Sequence, residues 1–329
     1  MRASTRPPLY FHGRAVAALI SLISALIFAG TAEAHEVRYI ASYGDNANLC
    51  TRDAPCKTLQ KGINTTPAGR ELIVLDSGDY GNGATIRKSI TISAVSVSAT
   101  LGGTITIDAA GATVMLRGLH LNGTSADAAA NGIDIVSAAA VHVENCEIQN
   151  FWGNGISFLS AAGDPALFVY KTVSRNNGLN GLYFVITAGE PRLTVDRSHF
   201  ERNGIGGMTI GGAGAAATIT RTIASGNTIF GISQVGGTSN ITWATAENNS
   251  RGYHVAGGSM TLEQSVARAN VTGVFVQTGG IVRLSGSVVT DNGTGLSLQA
   301  GSTLLTRVNN TVSGNTTDVS GTVTPLGGI

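Results

Sequence analysis

The chain has 329 residues, of which 44 are Gly, 5% are aromatic and 12% are charged. So few bulky side chains cannot fill one thick core, which argues against a compact α/β enzyme and for an extended architecture with a thin, repeated interior. With 21 basic and 20 acidic residues the formal net charge is +1, so no global field attracts nucleic acid and recognition by charge has to come from a local stripe.

Residues 1–34 have the pattern of a signal peptide: Arg2, Arg6 and Arg14, an apolar stretch from Ala15 to Ala29, and an A-x-A site at Ala32-Glu33-Ala34. The apolar run is too short to span a bilayer, so cleavage after Ala34 is expected, with no transmembrane segment remaining. Losing three Arg and one Glu leaves 18 basic and 19 acidic residues. The mature chain is expected in the periplasm or outside the cell.

Residues 35–70 are read as an N-terminal cap segment. Cys50 and Cys56 are expected to form a disulfide in an oxidising compartment, because no further Cys or His nearby completes a metal set. In CKTLQKGINTT, Leu59 and Ile63 share one face at i, i+4, which predicts a short helix covering an open solenoid end.

From residue 71 to 329 the chain is expected to be all-β, a single-stranded parallel β-helix. ELIVL, SITIS, TITID and TVMLRGLHL supply irregular first coils. A regular repeat follows, in which Gly132, Gly155, Gly181, Gly207, Gly231, Gly252, Gly273 and Gly295 each lead a short apolar-polar-apolar triplet, 21 to 26 residues apart. Between them lie second segments such as LFVYK, RLTVDR and ATITR. The Gly positions are read as turn punctuation. Asn150, Asn176, Asn203, Asn227, Asn248, Asn270, Asn292 and Asn315 close the repeats and are read as one structural column of stacked amides.

Three residues after the central apolar position of each second segment come Cys146, Thr172, Ser198, Thr222, Ala244, Ser265 and Ser287. This run of small side chains makes Cys146 structural and buried rather than reactive. The C-terminal VSGTVTPLGGI has no comparable cap. That end is expected to fray or to pair.

The run GRELIVLDSGDYG, followed by KSITIS, RGLHLNG, NGIDI, VENCEIQNFWGNGI and SRNNGLNGLYF, resembles secreted bacterial β-helix-repeat proteins of the pectate-lyase-like (pectin lyase fold) superfamily. The resemblance covers nearly all of the mature chain and implies a right-handed coil, as does the usual hand of parallel crossovers. It is a poor guide to activity, because that superfamily holds lyases, hydrolases, epimerases and adhesins.

The adjacent Asp-Asp, Asn-x-Asp, Gly-His-Gly and Arg-x-Lys motifs of polygalacturonase-like members do not occur, which sets a hydrolase aside. A calcium-dependent lyase needs clustered acids, whereas Asp134, Glu144, Glu147 and Asp196 are spread over several coils. Asp76 and Asp79 are read as turn formers. One constellation survives alignment: Lys171, Arg197 and Arg221 form a basic column over three coils, relieved by Asp196 and Glu144. Arg197 is the candidate base if there is chemistry. On the Gly-led triplets, Asp134, Ser157, Tyr183, Thr209, Ser233, His254, Phe275 and Ser297 should point outward, with Tyr183 and His254 as candidate sugar-contacting residues.

The expectation is therefore an exported β-helix that binds an extracellular or envelope polysaccharide through Lys171, Arg197, Arg221, Asp196, Tyr183 and His254, without catalysis or cofactor. A lyase acting on an acidic glycan is the alternative, and only that alternative brings in calcium. A structural, adhesin-like surface protein is a third.

Overall fold

The computed structural model describes residues 36–123, 130–160 and 164–326. The segment read as a signal peptide lies outside them. The chain winds into a parallel β-solenoid with three short strands per turn. Among the described residues, the third strands form an 11-stranded parallel sheet. The first and second strands join in a 22-stranded one, because Phe230–Thr242 and Arg251–Glu263 each run through the corner without a break.

Period-2 alternation sets which side chains enter the core. Ile156, Leu182, Met208, Ile232, Tyr253, Val274 and Leu296 stack in register from the first strands. Val143, Val169, Val195, Ile219, Ile241, Leu262 and Leu284 stack from the second. The third strands add Ile148, Ser174, Phe200, Ala224, Ala246, Ala267 and Val289. Volumes compensate within the thin interior: where the third column shrinks to Ala, Tyr253 extends inward and its hydroxyl donates to Ala244 O at 3.0 Å.

The solenoid starts earlier than its sequence pattern. Strand β1 (Arg38–Ile40) pairs in parallel with β2 (Arg70–Val74), so the first coil begins inside the segment read as a cap. Helix α1 (Leu59–Thr65) is capped by the Thr58 hydroxyl, which accepts from Lys61 N. Its Gly62 lies so close to Ile40 and Leu72 that a Cβ would sit 2.7 Å from one and 2.8 Å from the other. The helix therefore covers the end of the core. Cys50 and Cys56 are joined in a disulfide, Cα atoms 4.6 Å apart. Asp76 accepts from the Ser42 amide and hydroxyl and from Tyr80 Oη, which ties the cap to the first turn. Burial and the Asp76 carboxylate push the Tyr80 phenol up. Asp79 Oδ1 accepts from Gly81 N and shapes a turn.

The asparagines separate into two adjacent columns, not one. Asn150, Asn176 and Asn248 have φ of 62°, 54° and 55° and occupy a left-handed bend, a position that Arg202, Gly226, Ala269 and Asp291 fill in other turns. The residue that follows is the ladder, buried at Asn177, Asn203, Asn227, Asn249, Asn270 and Asn292 and half-buried at its last rung, Asn315. In each step the backbone N–H and side-chain amide of one Asn donate to Oδ1 of the next, as Asn203 does to Asn227 at 3.0 Å for both. Each ladder amide also donates to a carbonyl one turn back, as Asn227 Nδ2 does to Phe200 O. Gly181 and its equivalents do not sit at turns with positive φ. They are needed for close approach, since a Cβ on Gly181 would lie 2.8 Å from Phe200 Cδ1 and 2.9 Å from Asn203 Nδ2.

Cys146 is buried, and burial pushes its thiol up to about 12. Its backbone N–H donates to Thr172 Oγ1, and Thr172 N to Ser198 Oγ, so the small residues form a hydroxyl ladder at the second corner. At the other end, Thr317–Ser320 and Thr324–Pro325 are exposed strands. Among the described residues no helix is long and apolar enough to cross a membrane.

Removing one rung of the ladder strands its neighbours. Asn227→Ala removes the Oδ1 that accepts from the Asn203 backbone and side-chain amides and the donor that serves Phe200 O, and should lower unfolding free energy by about 2–4 kcal/mol. Asn248→Gly, at the exposed bend, should change it by less than about 0.5 kcal/mol. Denaturant titration of the two variants against the wild type decides between them.

Candidate functional site

The named residues fall into two groups on different faces. Lys171, Arg197 and Arg221 lie on the corner between the second and third strands, at φ of 47°, 51° and 46°. Each N–H donates to the next turn, Lys171 to Asp196 O, Arg197 to Thr220 O and Arg221 to Thr242 O. A left-handed residue that is not Gly costs roughly 1–2 kcal/mol. The backbone of the corner is over-determined by pairing above and below, so the three side chains are held outward.

The column immediately before them on the second strands reads Glu144, Tyr170, Asp196, Thr220, Thr242. Asp196 is the shared counter-ion. It accepts from Arg221 Nε at 2.9 Å and from Thr220 Oγ1 at 2.6 Å, and Arg197 Nε lies 3.9 Å away. Burial raises the Asp196 pKa, but the hydrogen bonds from Arg221 and Thr220 and the two guanidinium charges outweigh it and hold the carboxyl below its ordinary range. Glu144 does not relieve the column as expected; it pairs with Arg117 at 2.9 Å.

Tyr170, which sequence reasoning passed over, completes the cluster. Arg197 Nη1 donates to its hydroxyl at 2.9 Å, and Lys171 Nζ stands 5.1 Å from its ring centre. The Lys171 ammonium, then the Arg197 guanidinium, favour the phenolate and lower its pKa. Arg197, the candidate base, is thus engaged as a donor, and the titratable group beside it is Tyr170. Asn145 occupies the turn before Lys171 and lines a recess of about 490 Å³ with Val95, Val97, Arg117, His120 and Glu144. On the turn after Arg221 the same corner position holds Trp243, exposed at 55% with φ of 54°.

The second group lies on the outer side of the first strands. Asp134, Ser157, Tyr183, Thr209, Ser233, His254, Phe275 and Ser297 are in register as expected, but Ser157, Thr209, Ser233 and His254 are buried. Crowding by stacked neighbours covers them. His254 is only 4% exposed. Its ring is stacked between Phe230 and Phe275, at 4.5 and 5.7 Å between centres, and accepts or donates at Nδ1 with Ser233 Oγ at 3.0 Å. Neither ring face is open to a sugar. Burial, then the Arg251 charge, push His254 down to about 4, against a partial opposing effect of the Gln277 amide. Tyr183 is half-buried three turns away and does not converge with it.

The acids considered for calcium are each committed elsewhere. Asp134 accepts from Asn131 Nδ2, Glu147 meets Arg175 and His120, and Asp196 meets Arg221. Among the described residues no three His, Cys, Asp or Glu side chains converge on one point, and these acids do not make an oxygen shell.

A family model described as the right handed beta helix region matches residues 80–245. No curated protein matches the chain in sequence. Solved structures share the fold. The mannuronan C-5 epimerase AlgE6 A-module of Azotobacter vinelandii is 15% identical, with a TM-score of 0.53 over 78% of this chain and 90% of that one. XylC, in complex with xylose, is 8% identical, with a TM-score of 0.57 over 88% and 70%. The periplasmic alginate epimerase AlgG is 12% identical, with a TM-score of 0.52 over 82% and 81%.

The two cations predict an optical signature. The absorbance difference between wild type and Tyr170→Phe should titrate below the ordinary pH of a tyrosine. In a Lys171→Met, Arg197→Met background the same difference should move back up. A wild-type difference that titrates at the ordinary value would show that the cations do not act on the phenol.

Proposed function

The chain belongs to the right-handed β-helix family, and on that premise we propose that it is an exported protein that binds an acidic extracellular or envelope polysaccharide along the corner of Lys171, Arg197 and Arg221. The observation that carries this reading is the charge balance of the corner: three cations stand on successive turns, and one carboxylate, Asp196, is shared by Arg197 and Arg221. Like charges about 4.8 Å apart along a parallel ladder repel one another. A polyanion laid along the axis relieves that repulsion at every step. Two of the solved structures that share the fold are described as alginate or mannuronan epimerases, which is consistent with an acidic glycan as the ligand class. The N-terminal basic, apolar and A-x-A pattern supports export to the periplasm or beyond.

Retention on immobilised alginate or polygalacturonate tests the reading. The wild type should be retained at low salt and released as salt screens the contact. The Lys171→Ser, Arg197→Ser, Arg221→Ser triple variant should pass through. Equal retention of the two proteins would make the basic corner ordinary surface.

Tyr170 favours one second reading, β-elimination on a uronate. Its phenolate, stabilised by Lys171 and Arg197, would take the C5 proton while a cation neutralises the carboxylate, and would return the proton to the leaving O4 as the C4–O4 bond breaks. Absorbance of unsaturated products from uronate polymers reports this reaction, and Tyr170→Phe should abolish it. A flat trace with the wild type excludes the reaction and leaves binding.

A further inference from the structure

We infer that Trp243 is a sugar-stacking subsite that continues the basic track by one turn, so that the bound glycan lies parallel to the solenoid axis with a pyranose face on the indole. The inference rests on the acidic-glycan reading above and assigns the part of the site that charge alone cannot provide.

Register puts Trp243 in the track. Thr220 pairs with Thr242, and Arg221 N donates to Thr242 O at 3.1 Å, so Trp243 is the counterpart of Arg221 on the next turn. Lys171, Arg197, Arg221 and Trp243 therefore follow one another at single-turn intervals, a span of about 14 Å for three steps of about 4.8 Å. An extended pyranoside chain advances by a comparable length per sugar. Each side chain of the column can meet one residue of the glycan.

The indole is presented, not merely left outside. The Trp243 backbone is held at φ 54° and its amide N–H donates to Glu263 O at 3.2 Å, which fixes the direction in which the side chain leaves the corner. Among the described residues no ring, cation or hydrogen-bond partner engages it, whereas Tyr170, at the start of the track, is engaged by Lys171 and Arg197. The bends of neighbouring turns carry Lys, Arg, Gln or Gly, so the fold itself does not require an aromatic residue there. The chemistry of the four positions fits a ligand with carboxylates along its length and C–H faces on its rings. A polyphosphate or an acidic peptide would meet the cations and leave the indole unused.

The chain has two tryptophans, so a Trp152→Phe protein reports on Trp243 alone. On titration with oligomers of galacturonate or mannuronate, its emission should shift to the blue and saturate at the midpoint that calorimetry gives for binding. Polyphosphate should bind without that shift. Trp243→Gly suits the left-handed backbone and so preserves the fold; it should weaken uronate binding by about tenfold, of the order a lost aromatic contact brings, with the salt dependence unchanged. If uronates bind by calorimetry while the emission stays constant and Trp243→Gly binds like the wild type, Trp243 is outside the site and only the basic corner stands. If no uronate binds at all, the polysaccharide reading falls, and this inference falls with it.

Discussion

Parallel pairing of each turn with the next, at a spacing of about 4.8 Å, is the constraint on which everything else in this chain depends. It brings every side chain against its counterparts one turn above and one below. A polar group in the interior is therefore tolerable only if the whole column can satisfy it. The asparagine ladder does so, with each Oδ1 taking two donors from the preceding turn, as in Asn249 to Asn270 and Asn270 to Asn292. The hydroxyl column through Thr172, Ser198, Ser265 and Ser287 does the same at the second corner. A column of apolar residues needs only matched volume, which is how Phe200 and Tyr253 fit among alanines.

The same constraint works against charge. Opposite signs on successive turns are placed where they help: Arg175 meets Glu147, and Arg268 meets Glu247 at 2.5 Å on the third-strand face. The corner from Lys171 to Arg221 departs from this pattern. Asp196 and the Tyr170 hydroxyl offset part of the repulsion, each standing beside one cation it serves and one turn before the other. Such pairs at the surface contribute little to stability. This arrangement gives little to folding and leaves excess charge of one sign at a regular interval along the corner.

Much of the fold was legible because period-2 alternation, glycine and asparagine recur at nearly constant intervals, and alignment of Val169, Val195 and Ile219 placed the basic column correctly. What the pattern hid was one-residue detail. Asn150, Asn176 and Asn248 are asparagines next to a ladder position filled by Phe151, Asn177 and Asn249, and residue type alone does not separate a left-handed bend from a buried amide. The Gly column looked like punctuation because nothing local reveals Phe200 and Asn203 pressing on Gly181. Strand β1 was invisible because three residues followed by a disulfide loop carry no periodicity. Alternation points His254 outward, as it is; its burial comes from Phe230 and Phe275, which only register brings together. Tyr170 was masked as an ordinary strand aromatic, and Trp243 because the column was followed as a run of cations.

The left-handed corner carries one more implication. In consecutive turns it holds Asn145, Lys171, Arg197, Arg221, Trp243, Gln264 and Gly286, side chains with little in common. What the fold demands there is a backbone angle, and the core, one residue further on, does not register the choice. An edge of this kind can be rewritten one position at a time without repacking, so that the chemistry it presents to solvent is able to change while the architecture stays fixed.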